Sequence, residues 1–452
     1  MKILVVGCGK VGRTTAEELA KENHDVVLID KNPGLVEEVS NSIDVLGVAG
    51  EGSSIKILKE AGVEKCDLVI AVTNADETNM LTCLFAKKLN KNCKTIARVR
   101  NPHYIEDINY VQNELGIDVT INPEMITARQ ISRLIRWPNA LNVDSFVNGK
   151  IETISFAVGD NHNLVGKSLI EIKKIYRDDV LFVGIERGSE AIIPNGDTVI
   201  AENDKVTICA TPKNATIFLN KLGIYQMPIK NCMIVGGSKI AYYLATILQN
   251  MNIDICILDK DRNKCEELAS LLPKASIVHG YASDDNILIE EGLPDADCFV
   301  SLTGIDEENV LLSLYAKTIS QAKIITKVNH ISYKGVLNNL DVGALVSPKL
   351  ITADDIISYV RGMSNATAND VEAMHHFLDN KAEALTFVIN KKTNVVGVPF
   401  EKLKLKKNLL ICYIVRQGAI IIPNGSTCME VGDTVLLVTT NSGLKSIEDI
   451  VD

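Results

Sequence analysis

A glycine-rich hexapeptide, Gly7-Cys8-Gly9-Lys10-Val11-Gly12, follows the apolar run KILVV, and an acid, Asp30, closes the next such run, DVVLID. Residues of these types at this spacing can hold the pyrophosphate of a dinucleotide. Gly7 makes a tight turn, Gly9 lets the backbone approach the anion, and Gly12 lets strand and helix pack closely. The helix that opens after the loop offers free N–H groups and the positive end of its dipole. Asp30 can accept hydrogen bonds from both ribose hydroxyls and would repel a 2′-phosphate, which favours NAD(H) over NADP(H). Thr73 and Asn74 follow a fourth apolar run, DLVIAV, at the edge where open α/β sheets bind ligands, and could touch ribose or the ligand's distal half. Asp76 and Glu77 have a plainer use, since acids in the first turn of a helix complement its dipole. Arg98 and Arg100 close a fifth run; their guanidinium forks suit phosphate oxygens, or else a surface ion pair.

These residues recur. ILVVGCGKVG at 3–12 reappears as CMIVGGSKIA at 232–241, and VVLIDKN at 26–32 as ICILDKD at 255–261, so Asp259 answers Asp30 at an offset of 229. DLVIAVTNADETNM matches DCFVSLTGIDEENV, INPEMITARQISRLIR matches VSPKLITADDIISYVR, and AIIPNG at 191–196 recurs as IIPNG at 421–425. An offset held between 225 and 230 means a duplicated pair of domains, not a solenoid of short units. The second loop departs from the first. Gly236 and Gly237 precede Ser238, which replaces the middle glycine and would crowd a pyrophosphate, and Lys327 stands in place of Arg98. The second copy is a weaker or different nucleotide site, or no site.

The elements that must position these residues follow from periodicity. In each half, short apolar strands without polar alternation alternate with helical segments, as a parallel sheet covered on both faces requires. Asn122-Pro123 opens a helix that ends at Trp137-Pro138. The fold expected is therefore α/β: two tandem Rossmann-like domains with doubly wound parallel sheets, at 1–136 and 230–361, each followed by a small α+β domain, at 140–222 and 381–452. Gly223 to Pro228 reads as a hinge, and 362–381 as a softer linker holding a solvated His375-His376.

A chain of 452 residues exceeds one core, and 46% hydrophobic with 23% charged residues is globular composition. The net charge of −10 argues against a broad grip on nucleic acid or anionic lipid, and 5% aromatics gives little for base stacking. No run approaches 18 apolar residues, and residues 1–7 read as a strand entering a loop, not as a signal peptide. The eleven scattered cysteines read as reduced, buried thiols of a cytoplasmic protein. No histidine sits beside a nucleophile in a repeated position, no hydrolase or zinc motif is present, and the small modules offer no deep substrate pocket. No catalytic or metal residues are expected.

The chain resembles the TrkA family, regulatory subunits of Trk-type potassium-uptake systems built from two tandem RCK (KTN) units. The resemblance covers essentially the whole chain and rests on GCGKVG with Asp30, the DETN and DEEN segments, the AR-x-R run at 97–100 and the two IIPNG modules, in N–C–N–C order. It implies a cytoplasmic protein, peripheral on the inner face of the membrane, whose RCK units form a homo-oligomeric ring beneath a potassium-translocating subunit of the TrkH type. It also implies NAD(H), with ATP or ADP in relatives, in the N-domains, held by Gly7, Gly9, Gly12, Asp30 and Arg98. The strands of the small domains are expected to join protomers. The competing reading is an NAD-dependent dehydrogenase, and a third is a scaffold with vestigial loops.

Overall fold

A computed structural model describes residues 1–451 except 102–103, 105–106, 138, 148, 160–162, 177–178, 224–228, 330–339, 341, 366–370, 379–380, 442–443 and 445. The hinge expected at Gly223 to Pro228 falls outside the described residues, save for Gly223 itself.

The first half begins β1 (Lys2–Val6), α1 (Lys10–Lys21), β2 (Asp25–Asp30), α2 (Pro33–Ser42), β3 (Leu46–Ala49), α3 (Ile55–Glu60). It continues β4 (Leu68–Ala71), α4 (Asp76–Leu89), β5 (Lys94–Arg98), α5 (Ile108–Leu115), β6 (Val119–Ile121) and α6 (Pro123–Arg136). The six strands are parallel, in the order β3-β2-β1-β4-β5-β6. Ile3, Leu4 and Val5 are fully buried, because helices cover both faces and every side chain of the central strand meets one. The order reverses between β1 and β4, and the crevice at their carboxyl ends receives the Gly7 loop. Asn122 starts α6 by accepting a hydrogen bond from the Met125 amide (2.9 Å), with Pro123 at the first helical position.

A five-stranded sheet follows, from β7 (Asn142–Phe146), β8 (Ile151–Ala157), α7 (Leu169–Tyr176), β9 (Leu181–Arg187), β10 (Glu190–Ile192), β11 (Lys205–Ala210) and α8 (Pro212–Lys221). Its order is β10-β9-β11-β8-β7, antiparallel throughout.

The second half repeats the first with β12 (Asn231–Val235), α9 (Lys239–Asn250), β13 (Asp254–Asp259), α10 (Arg262–Leu271), β14 (Ser276–His279) and α11 (Asp285–Glu290). Then come β15 (Cys298–Ser301), α12 (Asp306–Ile319), β16 (Lys323–Lys327), β17 (Ala344–Val346) and α13 (Pro348–Asn365), in the sheet order β14-β13-β12-β15-β16-β17. The last sheet is built from β18 (Val371–Phe377), β19 (Ala382–Val388), β20 (Leu409–Arg416), β21 (Ala419–Ile421) and β22 (Thr434–Thr439), in the order β18-β19-β22-β20-β21.

The linker expected at 362–381 is not one. Helix α13 runs on to Asn365 and β18 occupies Val371–Phe377, where it pairs antiparallel with β19. His375 and His376 therefore lie on an edge strand. β18 takes the sheet position of β7, but VEAMHHF lacks the β-branched alternation that would have marked it.

The two halves interlock. Helix α6 packs on α9 of the second half, α13 packs on α1 of the first, and α6 and α13 touch each other. Ile356 and Val360 of α13 complete the core over β1 and α1, fully buried. Each such side chain is worth about 1.5–3 kcal/mol, so the halves stabilise one another. The small sheets also pack face to face within the chain. Phe146, Val183 and Cys209 meet Phe377, Tyr413 and Leu436, and the Tyr413 hydroxyl donates to the Cys209 carbonyl (3.1 Å). One face of each small sheet is therefore covered inside the chain.

Candidate functional site

Gly7 has φ +111°, a conformation that disfavours side chains, and a Cβ there would stand 3.0 Å from the Val72 and Thr73 backbone. A Cβ on Gly12 would overlap the Gly7 carbonyl oxygen, so strand and helix need glycine to meet as they do. At Gly9 a Cβ would meet nothing within 4 Å; the open side is the one a pyrophosphate would use. Gly9 also supplies no side-chain cap to α1, whose first backbone bond runs from the Arg13 amide to the Gly9 carbonyl (2.9 Å). The amides of Lys10, Val11 and Gly12 thus have no helical acceptor and face an anion position.

Asp30 is more occupied than its spacing implied. One carboxylate oxygen accepts from the Cys8 amide (2.7 Å) and the other from the Asn32 amide (2.9 Å). It fixes the glycine loop to the end of β2 and keeps lone pairs for a ribose. The side chains of Cys8 and Val11 are buried in the core, so only their backbone can reach a ligand. Burial, with Asp30 nearby, pushes the Cys8 thiol up to about 12 and leaves it unreactive. Lys10 is exposed, and its charge acts on Lys327 of the second half.

Across the crevice, Arg98 is 8% exposed. Its Nη2 donates to the Thr73 carbonyl and to Asn74 Oδ1 (3.2 Å), while its Nε is buried with no partner. Burial, then the neighbouring Arg100, pushes the guanidinium down to about 10, with Asp76 and Glu124 opposing only at longer range. Among the described residues no carboxylate pairs with Arg98. A buried cation without a carboxylate partner, bonded to the Thr73–Asn74 segment that the Gly7 turn touches, suits an anionic ligand. Glu124, at the start of α6, lies close by: Arg100 Nη1 stands 3.8 Å from its Oε1, and its Oε2 is buried without a partner. Burial raises its carboxyl pKa, against the opposing charges of Arg100, Arg98 and Lys239.

Two residues do more than the pattern told. Asp76 is not merely a helix-end acid. It is 6% exposed, and its Oδ2 accepts from the amides of Arg100 (2.7 Å) and Asn101 (2.8 Å), tying the loop after β5 to the loop after β4. Asn79, fully buried, was not singled out at all. Its Oδ1 accepts from the Thr73 amide (2.8 Å) and hydroxyl (2.7 Å), and its Nδ2 donates to the carbonyls of Thr73 (3.2 Å) and Arg98 (2.9 Å). Asn309 repeats this with Thr303 and Lys327. The shared asparagine of DETN and DEEN was the signal.

The second loop is closed on itself. Gly236 keeps φ +105°, but the Ser238 amide donates to the Gly236 carbonyl (2.9 Å), and Ser238 Oγ accepts from the Ala241 amide (3.4 Å), capping α9. A Cβ on Gly237 would come within 2.9 Å of Leu268. Asp259 still takes the Gly237 amide (2.6 Å) and the Asp261 amide (2.8 Å), so its retention is explained by loop bracing alone. Lys327 Nζ donates to the Leu302 carbonyl (3.2 Å).

Among the described residues no cluster of His, Cys, Asp and Glu could hold a metal ion, and no helix is long and apolar enough to cross a membrane.

Known proteins with the same arrangement can now be set beside it. The model of the TrkA-N domain matches residues 3–123 and 232–348, and that of the TrkA-C domain matches 154–223 and 385–452. The chain is 32% identical to the Trk system potassium uptake protein TrkA homolog of Archaeoglobus fulgidus, over 100% of both chains. It is 31% identical to the Trk system potassium uptake protein TrkA of Halomonas elongata, over 97% of this chain and 95% of that one. In fold it is similar to the GsuK channel bound to NAD, with a TM-score of 0.64 at 18% identity over 97% of this chain and 77% of that one. Two matches to each domain model, in the alternating order that the four sheets display, place the chain in the TrkA family.

Proposed function

We propose that this chain is the NAD(H)-binding regulatory subunit of a Trk-type potassium-uptake system, and that it binds the nucleotide without turning it over. It works as a homo-oligomer on the cytoplasmic face of a TrkH-type membrane protein, and ligand in its first N-domain sets the rate of potassium transport. The observation that carries this reading is the uncapped α1 N-terminus beside the open side of Gly9, with Asp30 on one flank and the unpaired Arg98 on the other. The relatives named for potassium uptake and the fold neighbour holding NAD support it. When bound, NAD(H) supplies two phosphates for α1 and Arg98 and a ribose for Asp30.

Isothermal titration of the full chain with NADH, NADPH, ATP and ADP tests the ligand. NADH is expected to bind at least about tenfold more tightly than NADPH, because a 2′-phosphate would face the Asp30 carboxylate. Equal affinities would remove that role from Asp30. Oxidation of NADH in the presence of a panel of carbonyl acceptors would instead favour a dehydrogenase.

A further inference from the structure

We propose that Tyr243, on the first helix of the second N-domain, is a positioning residue for the nucleotide site of the first; this rests on the nucleotide reading above. Tyr243 is 6% exposed at the packing of α9 on α6. Its hydroxyl donates to the Arg100 carbonyl (3.1 Å) and accepts from Asn122 Nδ2 (3.1 Å). Both partners belong to the first half and flank its site. Arg100 lies two residues beyond Arg98, in the loop whose amides Asp76 holds. Asn122 caps α6, the helix that carries Glu124. One phenol thus bridges the loop after β5 to the start of α6, and fixes the end of the strand from which Arg98 projects. Burial raises the phenol to about 12, so it stays a donor through the physiological range.

The bridge runs one way. By the repeat, Thr14 stands where Tyr243 stands, Asn329 where Arg100 does, and Ser347 where Asn122 does. Ser347 Oγ is buried without a partner, so the reciprocal contact is not made. The second N-domain has closed its own glycine loop with Ser238 and starts α9 without needing a ligand. Its helix is therefore a fixed brace for a site it does not itself possess, which gives the degenerate copy a use.

Tyr243→Phe in the full chain keeps the ring and leaves the Arg100 carbonyl and the Asn122 amide without this partner. The NADH Kd is expected to rise about three- to tenfold, the effect of one buried hydrogen bond. Amide exchange at 98–101 should quicken in the nucleotide-free protein. Ser347→Ala, at the reciprocal position, should leave the Kd unchanged. If Tyr243→Phe does not fold, Asn122→Ser, which keeps a capping oxygen and removes the amide donor, should shift the Kd in the same direction. A lowered melting temperature with unchanged Kd and unchanged exchange at 98–101 would mean a merely structural tyrosine and overturn the role. A wild-type chain that binds no NADH would overturn the nucleotide reading, and this role with it.

Discussion

A Gly9→Ser variant is expected to lose NADH binding by at least about a hundredfold, roughly 2.7 kcal/mol, while melting within a few degrees of the parent, since a Cβ at Gly9 meets nothing within 4 Å. The change gives the first loop the serine of the second. There, the loop tightens through the Ser238-to-Gly236 backbone bond, and the serine hydroxyl takes the helix amide that a phosphate would otherwise use. That form is compatible with the fold, since α9 and the strands beside it are intact. Ser238→Gly in the second loop should do little to total binding, because Ala241 and Lys327 remain. Titration calorimetry alongside a thermal melt reads both quantities. Retained affinity in the Gly9→Ser variant would mean that the glycine loop does not hold the ligand.

Asp204→Ala and Asp433→Ala should each cost about 3 kcal/mol of stability. Asp204 is fully buried and takes Arg187 Nε (2.9 Å) and Nη2 (2.8 Å) as a fork, plus the Ala201 amide (2.8 Å). Asp433 does the same with Arg416 (2.8 Å for each contact) and the Glu430 amide (2.7 Å). Breaking such a pair costs about 3–5 kcal/mol, and the low end applies because Arg187 is partly open to water and can be rehydrated. Burial alone would raise the Asp204 carboxyl, but Arg187 and the Ala201 amide outweigh it and hold it below the ordinary value. The contribution of this latch is therefore complete above the pKa of an unfolded aspartate and is lost as pH falls through the lower folded value. Urea titration of the variants at neutral pH measures the cost. A loss under about 1 kcal/mol would show that the fork is ornamental.

The IIPNG segments recur because each asparagine closes its own turn: Asn195 Oδ1 accepts from the Asp197 amide (3.1 Å) and the Thr198 hydroxyl (3.1 Å), as Asn424 does with Ser426 and Thr427. The parallel sheets were legible because apolar runs without alternation have few other uses, and helix α6 because Asn122-Pro123 is a start signal of local origin. β18 was not, since its two histidines and lack of β-branched alternation carry no local strand signal. In the site, the tight turn at Gly7 and the close packing at Gly12 followed from their types alone. The bracing by Asp76, Asn79 and Tyr243 did not, because each joins residues whose proximity only the fold creates; Tyr243 and Arg100 are 143 positions apart. Lys10 belonged to the fingerprint by position, yet its charge acts on the opposite half.

Regulation by a nucleotide requires that it bind two shapes of the assembly unequally. Moving an equilibrium from 1:99 to 99:1 takes about 5.5 kcal/mol, whereas one site typically supplies about 1–3 kcal/mol of coupling. Several linked chains acting together can reach that total, which ties the proposed oligomer to the proposed role. The most direct measurement is potassium flux into proteoliposomes holding the proposed Trk-type membrane partner, with and without this chain, across an NADH titration. The flux is expected to change with NADH only when the chain is present, in its rate and not in its ion selectivity, and the Gly9→Ser variant should abolish the response. Flux indifferent to both the chain and its nucleotide would contradict the account.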